Sequence, residues 1–250
     1  ALCFEENDKL NITEYTQIAM LTMEVAILKV LEAKGLKAEM AAGLSLGEYG
    51  ALAAAGVMEL PDLFRIIRMR GIYMQEAYPE GGAMTAVLGL DGDAVAAICE
   101  QTAKETGKVV SVANYNCPGQ IVITGEADAV EAASEALKEA GAKRCIPLKV
   151  SGPFHSALLK NAGEQLAEEL KSVKLSTPWI PYVSNVTADY VTDVSQIAEL
   201  LKQQVSSPVQ FNQSIERMIA DGVDTFIEIG PGKTLTSFVR KIDRNVKVYN

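Results

Sequence analysis

Short strand-like segments alternate with amphipathic helical ones along most of this chain, and that alternation restricts the fold more than any other feature. A strand, a helix and a second strand in succession need a crossover, so the strands run parallel and helices cover both faces of the sheet. The first helix is predicted from Glu14 to Ala33, where Tyr15, Ile18, Leu21, Met23, Val25, Leu28 and Leu31 supply apolar positions at mostly helical spacing and Gly35 follows as a stop. A short strand at Met40 to Ala42 leads through a sharp turn into a helix reaching about Ala55. A third helix covers Leu63 to about Gln75, and Pro79 with Gly81-Gly82 breaks the chain. The rhythm returns late in the chain, with a helix from about His155 to Lys171, a strand at Ile180 to Ser184 and helices at Ile197 to Gln204 and Phe211 to Ala220. A strand at Thr225 to Ile229 and a helix at Lys233 to Ile242 close it. These parts predict one large lobe built on a doubly wound, mostly parallel sheet.

The middle of the chain keeps a different order. Ala83 to Leu88, Val109 to Ala113, Ile121 to Thr124 and Cys145 to Leu148 read as strands, with helices at Asp91 to Glu105 and Ala127 to Ala140. That sequence is β-α-β-β-α-β, a ferredoxin-like arrangement. The predicted organisation is therefore residues 1–81 and 150–250 as two parts of the large lobe, with residues 82–149 inserted as a small one.

Charge and composition remove several function classes. A net charge of -9 argues against nucleic acid as a partner, because such binding rests on a basic surface. No apolar run approaches the roughly 20 residues that span a bilayer, so no membrane partner is expected and the chain reads as cytoplasmic. The cysteines, Cys3, Cys99, Cys117 and Cys145, show no metal or redox spacing and read as small buried side chains in a reducing compartment. His155 is the single histidine, so no multi-histidine metal site is expected and no metal is called for.

Gly43-Leu44-Ser45-Leu46-Gly47 fits the G-x-S-x-G pattern, in which a serine sits where a strand reverses into a helix. Flanking glycines permit the turn, the hydroxyl is exposed at the sheet edge as in α/β-hydrolases, and the next N–H faces a developing oxyanion. The competing reading makes Ser45 a helix cap. A nucleophilic serine needs a base, and His155 is the one imidazole present, placed after the turn signal Ser151-Gly152-Pro153-Phe154. Either a carboxylate, such as Glu228, or a backbone carbonyl would orient it. Arg70 offers a fork suited to a carboxylate, although by sequence alone it reads as a surface arginine.

The chain resembles the malonyl-CoA:acyl carrier protein transacylases of fatty-acid synthesis. The matching stretches are Ala42-Gly43-Leu44-Ser45-Leu46-Gly47-Glu48-Tyr49, Met69-Arg70-Gly71-Ile72-Tyr73-Met74-Gln75 and Asn114-Tyr115-Asn116-Cys117-Pro118-Gly119-Gln120. Gly152-Pro153-Phe154-His155, Val183-Ser184-Asn185, Ser207-Pro208-Val209 and Glu228-Ile229-Gly230-Pro231-Gly232-Lys233 complete them, in family order. The resemblance implies Ser45 as the acylated nucleophile, His155 as general acid–base and Arg70 as partner of the malonyl carboxylate. It further implies the backbone carbonyl of Gln204 as the group orienting His155, the Leu46 N–H as an oxyanion donor, and Asn114 and Asn116 in a wall of the cleft. Coenzyme A thioester and acyl carrier protein are the implied substrate and partner, with no tightly bound cofactor. By resemblance to polyketide acyltransferases, Phe154 before the histidine goes with malonyl rather than methylmalonyl selection.

Two departures stand out. Leu44 replaces the family's usual histidine before the nucleophile. The family also begins with a strand and a Phe-Pro-Gly-Gln-Gly loop that supplies a second oxyanion donor, and nothing here matches them, so the chain reads as starting late. Loss of one such donor costs about 3 kcal/mol in a serine hydrolase. The alternatives to acyl transfer are therefore a serine thioesterase or hydrolase using the same pair, and a catalytically weak scaffold or binding subunit.

Overall fold

The computed structural model describes residue 5 and residues 7–150 and 152–250; Cys3 and Ser151 lie outside them. The first apolar stripe forms α1 (Thr13–Ala33), whose Leu21, Val25 and Leu28 enter a core shared with Leu63, Ile66 and Ile67 of α3 (Leu60–Ala77). That third helix starts three residues earlier than the apolar pattern suggests. Pro61 lies in its first turn, where its missing N–H costs nothing and its fixed φ favours the helix. Between them, α2 (Gly47–Ala54) buries Tyr49 and Leu52 in the same core.

Residues 82–147 form β1 (Gly82–Leu88), α4 (Gly92–Thr106), β2 (Val110–Cys117), β3 (Gln120–Glu126), α5 (Ala127–Glu139) and β4 (Arg144–Pro147). The sheet is wholly antiparallel, in the order β2-β3-β1-β4. Both helices pack a separate apolar cluster against it, through Val95, Cys99, Val130 and Leu137. Asp91 caps α4 by accepting from the Ala94 N–H. The second strand runs four residues further than its alternation indicates. Register shifts between Val112 and Asn114 and between Tyr115 and Cys117 hide the period of two.

The rest of the chain comprises α6 (Lys160–Leu170), β5 (Tyr182–Val183), β6 (Tyr190–Val191), α7 (Val194–Gln204), α8 (Phe211–Ala220), β7 (Thr225–Ile227), α9 (Thr234–Ile242) and β8 (Lys247–Tyr249). The helix expected from His155 starts only at Lys160, after a 3-10 turn at Ala157–Leu159. His155 has φ +60, a left-handed conformation that no helix interior accepts. Strands β6 and β8 were not anticipated, because two or three residues carry no readable alternation. The class is α/β and strand pairing among the described residues is mixed. It is parallel for β7 with β8 and at the Ala41–Tyr182 and Asn114–Val209 bridges, and antiparallel for β5 with β6. The strand expected at Met40 to Ala42 is reduced to the single Ala41 bridge. A groove of about 980 Å³, lined by residues 40–43 and 224–229 among others, separates it from β7. Among the described residues no helix is long and apolar enough to cross a membrane.

Glu24 of α1 borders this groove. It is buried, its Oε2 has no hydrogen-bond partner, and burial pushes its carboxyl up to about 7. The unfolded chain keeps an ordinary value of 4.5, so the stability gained from holding the proton is complete below that pH and lost as pH rises through 7. The loss amounts to roughly 3 kcal/mol. Glu24→Gln is expected to raise the melting temperature at pH 8 by roughly 6–12 °C and to leave it nearly unchanged at pH 5. Calorimetry at the two pH values checks this, and an equal gain at both would exclude the buried proton as the cause.

Candidate active site

The turn before α2 is held in a conformation that needs outside support. Ser45 has φ +54, a left-handed backbone that typically costs about 1–3 kcal/mol for a residue other than glycine. Gly43 makes the reversal possible, since a Cβ there would fall 1.9 Å from the Gly47 backbone. Asn185, two residues after β5, clamps both sides of the turn. Its Oδ1 accepts from the Ser45 N–H at 2.7 Å and its Nδ2 donates to the Gly43 carbonyl at 2.6 Å. The Leu46 N–H lies at the start of α2 and makes no hydrogen bond with the described residues, so it is free to meet an anion.

Opposite the turn, Ser45 Oγ and His155 Nε2 are 2.7 Å apart. His155 Nδ1 donates to the Gln204 carbonyl at 2.8 Å, which sets the tautomer and leaves the Nε2 lone pair facing the serine. Glu228, the other candidate for orienting the histidine, is elsewhere: its carboxylate accepts from the Leu235 and Thr236 N–H groups and caps α9. His155 is 3% exposed, and its pKa is lowered to about 4. Burial is the main cause and the nearby Arg70 charge the second, outweighing the Gln204 and Ser207 backbone groups. The imidazole is thus a neutral base through the whole physiological range.

Arg70 is not the surface residue that its helix position suggested. It is 1% exposed on the inner face of α3, with Nη1 donating to Gln17 Oε1 at 2.6 Å. Its Nη2 donates to Ser45 Oγ and to Gln204 Oε1, both at 3.1 Å. Among the described residues no carboxylate comes within salt-bridge distance of it, and its Nε has no partner. A buried cation with no carboxylate in direct contact, beside a serine hydroxyl, is electrostatically suited to an acidic ligand.

Phe154 packs against the core of the first three helices and also against Met84, Ala86, Ala113 and Val122 of the antiparallel sheet. Asn114 and Asn116 are buried on β2, and Asn116 Oδ1 is unpartnered. Neither asparagine bonds to Ser45, His155 or Arg70, so the structure does not bring them into the serine–histidine cluster. Gln17, Glu48 and Asn185 do belong to it and had no role in the sequence reading. Val183-Ser184-Asn185 stood out as a stretch, but nothing local indicated that its asparagine would hold a turn 140 positions away.

The chain matches the acyl transferase domain family over residues 2–249. It is 48% identical over 249 residues to the malonyl CoA-acyl carrier protein transacylase of Bacillus subtilis, covering 99% of this chain and 78% of that protein. The crystal structure of an acyl carrier protein S-malonyltransferase from Vibrio cholerae superposes with a TM-score of 0.95 at 42% identity, over 98% of this chain and 80% of that one. A malonyl-transacylase in complex with its type II PKS acyl-carrier protein superposes with a TM-score of 0.94 at 41% identity, over 97% and 79% of the two chains.

A neutral, oriented imidazole 2.7 Å from Ser45 Oγ can take the serine proton, and this geometry predicts reactivity toward electrophiles. Labelling by a fluorophosphonate is expected to stay level from pH 6 to 9 and to fall as His155 gains a proton near pH 4. His155→Ala should slow labelling by roughly a hundredfold or more. Timed gel-based labelling measures both, and an unchanged rate in the variant would remove His155 as the base.

Proposed function

The chain belongs to the acyl transferase domain family, and on that footing we infer that it moves a malonyl group from malonyl-CoA to acyl carrier protein through an ester on Ser45. The observation that carries the choice of acyl group is Arg70, a buried cation with no carboxylate in direct contact, 3.1 Å from Ser45 Oγ. The relative and neighbours named for malonyl transfer support it, and the neighbour in complex with its carrier protein supports the partner. Coenzyme A is a substrate here, and fatty-acid synthesis in the cytoplasm is the setting this chemistry fits.

The reaction has two matching halves. His155 Nε2 takes the Ser45 proton while Oγ bonds to the thioester carbon. The oxyanion forms beside the Leu46 N–H. As it collapses, the carbon–sulfur bond breaks, His155 returns its proton to the departing coenzyme A sulfur, and malonyl-serine remains. The pantetheine thiol of the carrier protein then gives its proton to His155 and attacks the ester, and Ser45 recovers the proton on leaving. Arg70 holds the malonyl carboxylate throughout, and Phe154 limits space at the carbon between the two carbonyl carbons.

We read the residues around this site as two lobes. Residues 1–81 and 150–250 make a doubly wound, α/β-hydrolase-like lobe carrying Ser45, Arg70, His155 and Gln204. Residues 82–149 make a ferredoxin-like insertion that brings Asn114 and Asn116 to the cleft wall. The separate apolar clusters of the two parts support this division.

Incubation with labelled malonyl-CoA followed by peptide mapping should place the label on Ser45, and Ser45→Ala should take up none; undiminished label in the variant would end this reading. Arg70→Ala is expected to lose malonyl transfer by roughly a hundredfold or more while acetyl transfer stays level or rises. Methylmalonyl should be disfavoured in the wild type by roughly 10–200-fold, the range that one methyl commands. Steady-state kinetics with the three coenzyme A thioesters checks these values, and proportional loss of malonyl and acetyl transfer in Arg70→Ala would remove the carboxylate role.

A further inference from the structure

Glu48 lies three residues beyond Ser45, in the first turn of α2, and is fully buried. Its Oε2 accepts from Gln204 Nε2 at 2.7 Å and from the Asn185 N–H at 3.1 Å, while its Oε1 has no partner. An ionised carboxylate only accepts, so Gln204 must turn its NH₂ toward Glu48. The carbonyl end of the same amide then necessarily faces away, where Oε1 accepts from Arg70 Nη2 at 3.1 Å. The NH₂ also reaches the Ser45 carbonyl at 2.9 Å. One amide thus joins the nucleophile turn to the guanidinium, and its NH₂ end is held by Glu48 at the shortest distance, with the Ser45 carbonyl, and Asn185 Oδ1 at 3.3 Å, beside it. Reversed, it would set NH₂ against guanidinium, donor against donor.

We infer that Glu48 is a positioning residue, whose carboxylate locks the Gln204 amide and so aims Arg70 at the carboxylate of the substrate. The role rests on the malonyl-transfer reading above and deepens it. Substrates without a terminal carboxylate make no use of Arg70, so the lock bears on the preference for malonyl rather than on acylation itself.

The geometry makes the lock sensitive to protonation. Burial pushes Glu48 up to about 7, against the opposing pull of the Asn185 N–H, the Gln204 amide and Arg70. Arg70 from α3, Tyr182 from β5 and Tyr49 of its own helix are the charged or titratable groups facing it. Burial pushes both phenols up, so they stay neutral. His155 lies across Gln204 and is neutral above about pH 4. Above pH 7 the carboxylate is ionised and Gln204 is locked. Below it, a protonated Glu48 can itself donate, and the amide loses its anionic acceptor and keeps only the weaker hold of the Ser45 carbonyl and Asn185 Oδ1. The malonyl carboxylate is ionised over this range.

The test measures Ser45 acylation by malonyl-CoA and acetyl-CoA from pH 5.5 to 8.5, for wild type, Glu48→Gln, Arg70→Ala and the double variant, with circular dichroism on each. The wild-type preference for malonyl should fall by roughly tenfold or more as pH drops through 7, with acetyl acylation level. Glu48→Gln should show the low preference at every pH, and in the Arg70→Ala background it should change the preference no further. A wild-type preference independent of pH overturns the role, and so does proportional loss of both substrates in a folded Glu48→Gln. If that variant does not fold, the wild-type pH series decides alone. Absence of malonyl label on wild-type Ser45 at every pH would defeat the transfer reading itself, whereas normal labelling with an invariant preference defeats only the role of Glu48.

Discussion

The clamp of Asn185 on the nucleophile turn is the contact on which the rest of the site depends. Ser45 occupies a backbone region that its own side chain disfavours, and the cost is met by bonds from a residue just after β5. The short parallel bridge between Ala41 and Tyr182 sets the distance between those two segments. A few ladder hydrogen bonds therefore determine whether the hydroxyl meets His155 or points elsewhere. His155 is held in a similar left-handed state, so both members of this hydrogen-bonded pair are fixed by surrounding structure rather than by local preference.

Electrostatically the site is unusual in what it leaves uncompensated. The orienting partner of His155 is a neutral carbonyl, not a carboxylate, so the backbone groups of Gln204 and Ser207 favour an imidazolium less than burial and Arg70 oppose one. The same guanidinium has amide oxygens and a hydroxyl as neighbours, but no anion in direct contact. Desolvation thus acts in two ways: it keeps the imidazole neutral, and it leaves a cation with no carboxylate in direct contact, suited to an acidic ligand.

Much of this arrangement was legible in the chain. The apolar spacing of α1, the Pro118-Gly119 hairpin and the order of elements from residue 82 to 147 follow from local preferences that the tertiary structure leaves alone. Ser45 and His155 were readable because a strained turn needs glycine and because there is a single imidazole. The burial of Arg70 was not readable, since α3 carries arginines at 65, 68 and 70 and only packing against α1 and α2 distinguishes the third. Asn185, Gln17 and Glu48 were hidden for a related reason. Each acts through a partner far along the chain or through a neighbour's side chain, and a polar residue alone does not state which way it will face. The mixed strand pairing escaped because segments of two or three residues have no period.

The exchange proposed for Ser45 and His155 has a thermodynamic consequence. In the proposed mechanism the imidazole returns to each departing group the proton it took from the incoming one, so a complete cycle releases none to solvent and leaves the base as it began. Both the substrate and the product are thioesters of the same acid with closely similar thiols. The overall exchange is therefore nearly balanced in free energy, and its equilibrium position does not move with pH. Like any catalyst, the protein cannot impose a direction, and here the free-energy difference supplies almost none. It holds two acyl pools level, and whatever reaction draws on the carrier-bound pool sets the net flow.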